Sequence, residues 1–138
     1  MDDTGASISL ASLTDEYLVL YFYPKDDTPG CTSEGTQFRD AAKAFAEKKA
    51  RIVGVSRDSV VSHQKFKTKY DLPFTLLADS DQAICDAFDV IGEKNMYGKK
   101  VKGVIRSTFV IDTEGRIRKV WPKVKVDGHV SEVLASIT

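Results

Sequence analysis

The sequence predicts an α/β fold, with a central mixed β-sheet flanked by helices. Three observations predict it. An apolar run rich in aromatic residues, residues 17–23, stops at Pro24 and suits a strand buried on both faces. Beyond it, strand-like and helix-like patterns alternate, which predicts parallel neighbours joined by right-handed crossovers. Residues 106–112 and 116–121 flank the turn Thr113-Glu-Gly115 and predict an antiparallel hairpin at one edge.

The elements follow in order. Polar and apolar residues alternate over residues 7–13, which predicts a short edge strand before the buried strand 17–23. A polar turn, residues 25–30, leads to Cys31. Residues 32–48 then carry Phe38, Ala41, Ala42, Phe45 and Ala46 on one helical face, with Glu34 near the start and Lys48 and Lys49 at the end. Residues 51–56 form the next strand. Asp58 or Ser59 caps a helix carrying Val60, Val61, His63 and Phe66. Pro73 opens an extended run over 74–78, and Asp79-Ser-Asp81 precedes a short helix through Ala83, Ile84 and Phe88. Residues 91–104 are rich in Gly and Lys without a clear period and read as an irregular exposed loop. A closing helix over 129–137 presents Val130, Val133, Leu134 and Ile137. A mixed sheet of this order, with a cysteine after the first buried strand, is the thioredoxin-like arrangement; that step is fold analogy and carries no function by itself.

The 138 residues suit one domain, 1–138, with one core. Twenty basic residues balance twenty acidic ones, so no global charge argues for nucleic acid or an anionic membrane. No apolar run reaches membrane-span length, and the acidic Met1-Asp2-Asp3-Thr4 start is unlike a signal peptide. The expected compartment is the cytoplasm. The basic run Lys94, Lys99, Lys100 and Lys102 therefore reads as a solvated loop. His63 and His129 have no metal-ligand partner at helical spacing and read as surface or capping residues. Tyr17, Tyr21, Phe22, Tyr23, Phe109 and Trp121 read as core.

The two cysteines, Cys31 and Cys85, form no CxxC pair and no zinc-type cluster. Cys31 lies at or just inside a helix N-terminus, where free N–H groups and the helix dipole favour an anion, and so the nucleophilic thiolate. The alternative reading of Cys31, an inert buried thiol, fits poorly with the polar, Gly- and Pro-rich turn before it. Cys85, among Ala83, Ile84 and Phe88, reads as a small buried hydrophobe; its alternative is a thiol exposed by local helix unfolding.

The string Pro24-Lys-Asp-Asp-Thr28-Pro-Gly-Cys31 resembles the peroxiredoxin motif of Pro, Thr and Cys at fixed spacing. With Tyr21-Phe-Tyr23 before it and Phe38-Arg-Asp40 after it, the chain is similar to the peroxiredoxin Q branch, also called bacterioferritin comigratory protein. Gly54-Val-Ser-Arg-Asp58, Phe74-Thr-Leu-Leu-Ala-Asp79, Lys94-Asn-Met-Tyr-Gly98 and Arg106-Ser-Thr-Phe-Val-Ile-Asp112 extend the likeness in the same order. The resemblance implies thiol-dependent reduction of hydrogen peroxide and small organic hydroperoxides. It implies Cys31 as the peroxidatic nucleophile, Thr28 and Pro24 as pocket residues, Gly30 beside the substrate and Arg106 as the family arginine. The chemistry agrees: O–O cleavage needs a thiolate, donors to polarise the bond and charge stabilisation. It needs no metal or organic cofactor. The implied partners are the hydroperoxide and a thiol reductant such as thioredoxin or glutaredoxin with glutathione, acting on a monomer.

The chain departs from that family in two ways. Positions where members carry a resolving cysteine hold Thr36 and Lys67 here, so the expected mechanism is one-cysteine, with Cys85 the only other candidate resolving thiol. The family's usual early strand ahead of Asp2 is missing, which predicts a truncated front and a less covered sheet edge. A competing function is a peroxide-responsive redox sensor or interaction module without turnover. A disulfide oxidoreductase is disfavoured by the lack of a second cysteine near Cys31.

Overall fold

The computed structural model describes residue 2, residues 17–96 and residues 99–137. The elements run β1 (Tyr17–Phe22), α1 (Pro29–Glu47), β2 (Ala50–Ser56), α2 (Val60–Tyr70), β3 (Thr75–Ala78), α3 (Ala83–Ala87), β4 (Ile91–Met96), β5 (Lys99–Val104), β6 (Ser107–Ile111), β7 (Ile117–Trp121) and α4 (His129–Ser136). Five strands form the main sheet in the order β3-β2-β1-β6-β7. β1 pairs parallel with β2 and β2 parallel with β3, while β6 and β7 run antiparallel to their neighbours. The sheet is thus mixed and central, as expected.

β1 is buried on both faces, which explains its near-continuous apolar sequence. Strand alternation sends Val19, Tyr21 and Tyr23 to one side, where they join Cys31, Phe38, Phe45, Phe66, Phe74 and Val133. Leu18, Leu20 and Phe22 go to the other side, with Val53, Val55, Leu77, Cys85, Val104 and Phe109. The two cysteines therefore lie on opposite faces of the sheet. Gly54 pairs with Tyr21 in the register, and a Cβ there would stand 2.9 Å from both Tyr21 Cζ and Leu76 Cδ2. Its missing side chain leaves room for the Tyr21 ring, which stacks on Phe38 at 4.6 Å. Burial of a ring such as Phe38 stabilises the fold by about 1.5–3 kcal/mol. α4 docks on the end of α1, where Lys48 Nζ donates to the carbonyls of Leu134 and Ile137 at 2.8 and 2.9 Å.

Several expectations need correction. Residues 91–104 are not an irregular loop: β4 and β5 pair antiparallel as a separate two-stranded sheet, with Ile91 opposite Val104 and Gly92 opposite Gly103. Glycines and charged residues on these strands hide the period-2 pattern that a half-buried strand shows. α1 begins at Pro29 rather than at residue 32, because Pro29 occupies the first helical position, where its fixed φ is already helical and its lack of an N–H is harmless. Ser59, not Asp58, caps α2, its hydroxyl accepting from Ser62 N at 3.1 Å. The strand expected over residues 7–13 lies outside the described residues.

His129 is buried rather than exposed, with Nε2 2.8 Å from Thr108 Oγ1 and its ring edge-on to Trp121 and Phe38. Burial holds its imidazole below the usual range, so it packs as a neutral ring.

Candidate active site

The site is built where β1 gives way to α1. Tyr23 and Pro24 end the strand, Lys25 to Asp27 turn, and Thr28 stands at the N-cap position in extended geometry. Asp27 adopts φ +59°. The first helical bond runs from Thr32 N to Thr28 O at 2.8 Å. Helical geometry leaves the N–H groups of Gly30 and Cys31 without an intrahelical acceptor, so they supply donors and positive potential at the cysteine. Cys31, third residue of α1, is 1 % exposed.

Arg106 comes from the far side of the sequence, at the start of β6, with its carbonyl held by Val124 N at 2.8 Å. Its Nη2 donates to Cys31 Sγ at 3.3 Å and its Nη1 to Glu34 Oε1 at 2.7 Å. Cys31 and Glu34 are three residues apart on one helix face, which is why one planar guanidinium reaches both. Gly30 lies against the same group: a Cβ there would stand 2.9 Å from Arg106 Nη2. The sulfur thus has a permanently charged donor on one side and the helix N-terminus on the other, an arrangement that stabilises a thiolate and the charge that develops on a departing oxygen.

Glu34 is fully buried, and its Oε2 has no hydrogen-bond partner among the described residues. Burial raises its carboxyl from 4.5 to about 7, against the opposing charge and hydrogen bond of Arg106. In the unfolded chain it titrates near its ordinary value, so from pH 4.5 to about 7 the folded form keeps a proton that the unfolded form releases. Stability contributed at this position is therefore lost as pH rises across that interval and is level above it. At about 1.36 kcal/mol per pH unit, the interval from 4.5 to about 7 amounts to about 3 kcal/mol. Glu34→Gln is expected to flatten that fall: in urea unfolding at pH 5 and pH 8 the native protein should lose up to about 3 kcal/mol more than the variant. Equal losses in both would contradict this reading. Tyr21 Oη, buried and without a partner among the described residues, faces the same region; burial and then the charges of Glu34 and Cys31 push its phenol up, so it stays neutral.

Thr28 is half-buried, and its hydroxyl donates to Lys25 O at 2.9 Å. The proton is thereby committed to the turn, and the oxygen lone pairs remain to accept. Pro24 lines a cleft of about 520 Å³ with Lys25, Arg57, Asp58 and Gln82, and Cys31 is not among the residues of that cleft. Cys85 is fully buried beneath the opposite face, and its thiol is pushed well up, chiefly by burial and then by its hydrogen bond to Asp79. Asp79 is itself fixed by the N–H groups of Ile84 and Cys85 at 3.0 and 2.7 Å. Thr36 bonds back to Thr32 O at 2.9 Å.

His63 needs a second correction. It is completely buried in α2, with Nε2 2.9 Å from Leu77 O and Nδ1 2.7 Å from Asp26 Oδ2. The sequence reading missed both this residue and the Arg106 bond to Glu34. The signal for His63 is its position three residues before Phe66, on the buried face of the helix.

The profile of the AhpC/TSA family matches residues 1–120. Peroxiredoxin Bcp of Bacillus subtilis (strain 168) is 51% identical over 135 residues, covering 98% of this chain and 86% of that protein. A structure of Xanthomonas campestris peroxiredoxin Q superposes with a TM-score of 0.93 at 50% identity, covering 99% of this chain and 86% of the other. A structure from work on alkyl peroxide reduction by the Xanthomonas campestris bacterioferritin comigratory protein also superposes at 0.93, with 49% identity over 99% of this chain and 87% of that one.

Proposed function

This chain belongs to the AhpC/TSA family, in its peroxiredoxin Q (Bcp) branch, with a thioredoxin-like fold and thiol peroxidase activity, and from that premise we propose that it works by a one-cysteine mechanism through Cys31. The observation that carries the reading is the Arg106 guanidinium bonded at once to Cys31 Sγ and Glu34 at the start of α1. The Cys31 thiolate attacks one oxygen of the hydroperoxide. The S–O bond forms as the O–O bond breaks, giving a Cys31 sulfenic acid and an alkoxide, or hydroxide from hydrogen peroxide. That anion takes a proton and leaves as alcohol or water. Arg106 and the N–H groups of Gly30 and Cys31 stabilise the negative charge as it moves from sulfur to the departing oxygen. Thr28 offers an acceptor for the peroxide O–H, and Pro24 fixes the turn.

Regeneration uses an external thiol. One thiol condenses with the sulfenic acid to give a mixed disulfide and water, and a second releases the Cys31 thiol and leaves with the first as a disulfide. Support for an external partner comes from the position of Cys85: fully buried on the other side of the sheet, with its sulfur held in the protonated form. A disulfide joins cysteines whose Cα atoms are within about 7 Å and whose Cβ atoms point together, and the placement of the two thiols on opposite faces of the sheet counts against one here. The unit proposed is a monomer of one domain, acting in the reducing cytoplasm with thioredoxin or with glutaredoxin and glutathione. No described helix is long and apolar enough to cross a membrane.

The test is steady-state consumption of hydrogen peroxide and of a small alkyl hydroperoxide with dithiothreitol, thioredoxin or glutaredoxin and glutathione. Many turnovers per chain are expected, and Cys85→Ser should keep kcat within about twofold, since a buried thiol away from the chemistry contributes packing only. Consumption that stops at one equivalent with every reductant would instead favour a sensor without turnover.

A further inference from the structure

The turn between Pro24 and Thr28 has no regular secondary structure, yet it is fixed from several sides. Asp26, at its centre, is buried. Tyr23 Oη donates to its Oδ1 at 2.6 Å, Ser62 Oγ donates to Oδ2 at 2.8 Å, and His63 Nδ1 lies 2.7 Å from the same Oδ2. The Asp26 N–H donates to Asp58 Oδ2 at 2.9 Å, an oxygen that also accepts from Ser56 Oγ at 2.6 Å. The next residue, Asp27, is tied to the end of α2 by Lys69 Nζ at 2.8 Å and Tyr70 Oη at 2.7 Å. Its φ of +59° is a conformation that a non-glycine residue keeps only when its surroundings fix it.

The protonation of His63 follows from its partners. The Leu77 carbonyl only accepts, so Nε2 carries a hydrogen; the Asp26 carboxylate only accepts, so Nδ1 carries one too. When protonated, the ring is an imidazolium paired with Asp26. It is faced by Tyr23 from just beyond β1, Asp26 from the turn, Asp58 from just beyond β2 and Leu77 from β3. The acidic groups among these are Asp26 and Asp58; Lys65 and Lys69 line the groove beside Asp26. Burial opposes the imidazolium, but the bond and charge of Asp26 outweigh it and raise its pKa.

We propose that the buried His63–Asp26 ion pair is a positioning device for the peroxide pocket, holding the Lys25–Thr28 turn so that Thr28 and the first N–H groups of α1 are set for peroxide at Cys31. The inference rests on the reading of Cys31 as the peroxidatic cysteine. His63 and Asp26 make no bond to Cys31, so the pair acts on the pocket and not on the sulfur. Because the folded His63 titrates above its ordinary 6.5, the pair is complete below that value and is lost as pH rises through the raised one. Pocket-dependent chemistry should then fall on the alkaline side.

Two rate constants at Cys31 separate pocket from sulfur. They are measured in a Cys85→Ser background from about pH 6 to 9, across the range in which histidine titrates. Oxidation by hydrogen peroxide needs thiolate and pocket, whereas alkylation by iodoacetamide needs thiolate alone. The ratio of the two should fall at high pH in the parent protein. His63→Gln should lower the ratio by about tenfold or more and remove its alkaline fall, with alkylation nearly unchanged. Ser62→Ala, which removes one donor to Asp26, should lower it about two- to fivefold. An unchanged ratio in both folded variants overturns the proposal, as does a parallel fall of both rates. If His63→Gln does not fold, an unchanged ratio in Ser62→Ala together with no alkaline fall in the parent overturns it. A parent protein that alkylates but does not react with peroxide would instead remove the Cys31 reading itself, and the proposal with it.

Discussion

Cys31→Ser is expected to abolish peroxide turnover, with a fall in kcat/KM of at least about a thousandfold. The serine hydroxyl is not ionised near neutral pH, so the Arg106 donor and the helix N-terminus would have no anion to stabilise. Cys85 is not expected to take over, because it is buried on the other face of the sheet with its thiol pushed up. The change is nearly isosteric at a site that already contains charged partners, so the thermal midpoint should stay close to the native value. Peroxide consumption with dithiothreitol, beside a thermal melt, checks both halves. Residual turnover above a few per cent in a folded variant would move the nucleophile elsewhere.

Arg106→Met is expected to slow the peroxide reaction by about 10²–10³-fold, the usual cost of losing one preorganised donor to developing charge. It removes the bond at 3.3 Å to Cys31 and the ion pair with Glu34 together. Breaking a buried pair from one side commonly costs about 3–5 kcal/mol. The cost here should fall short of that at neutral pH, because the Glu34 carboxyl already titrates at about 7 and neutralises readily when its partner goes. Arg106→Lys should restore little, since one ammonium cannot make two parallel donations to sulfur and carboxylate. Unlike the changes at His63 and Ser62, both Arg106 substitutions should slow alkylation as well as peroxide oxidation, because they act on the sulfur directly. Stopped-flow peroxide oxidation and iodoacetamide alkylation, run side by side, distinguish these cases.

The parts of this molecule that depend on local pattern were legible in the sequence. β1 shows as an apolar run because both its faces are covered, α1 shows its Phe38 and Phe45 stripe, and the β6–β7 hairpin shows its turn. The Pro24, Thr28 and Cys31 spacing is local as well, and the motif around Arg106 pointed to the second half of the site. What pattern cannot show is a polar group buried by a distant partner. His63 and Asp26 are 37 residues apart, and Glu34 and Arg106 are 72 apart. The sequence assigns Arg106 to the site by its motif and reads His63 as a surface or capping residue, but it names no partner for either, and only the fold brings each pair together in a place that excludes water. β4 and β5 were missed for the opposite reason: they form a two-stranded sheet of their own, apart from the main sheet, so no regular hydrophobic alternation marks them.

The most direct test of the one-cysteine account is the intact mass of the reduced protein after one equivalent of hydrogen peroxide, without reductant, alongside Cys31→Ser and Cys85→Ser. The account predicts a monomer that gains one oxygen in the native and Cys85→Ser proteins and no change in Cys31→Ser. A monomer that loses two hydrogens only when both cysteines are present would contradict it, making Cys85 the resolving thiol despite the sheet between them.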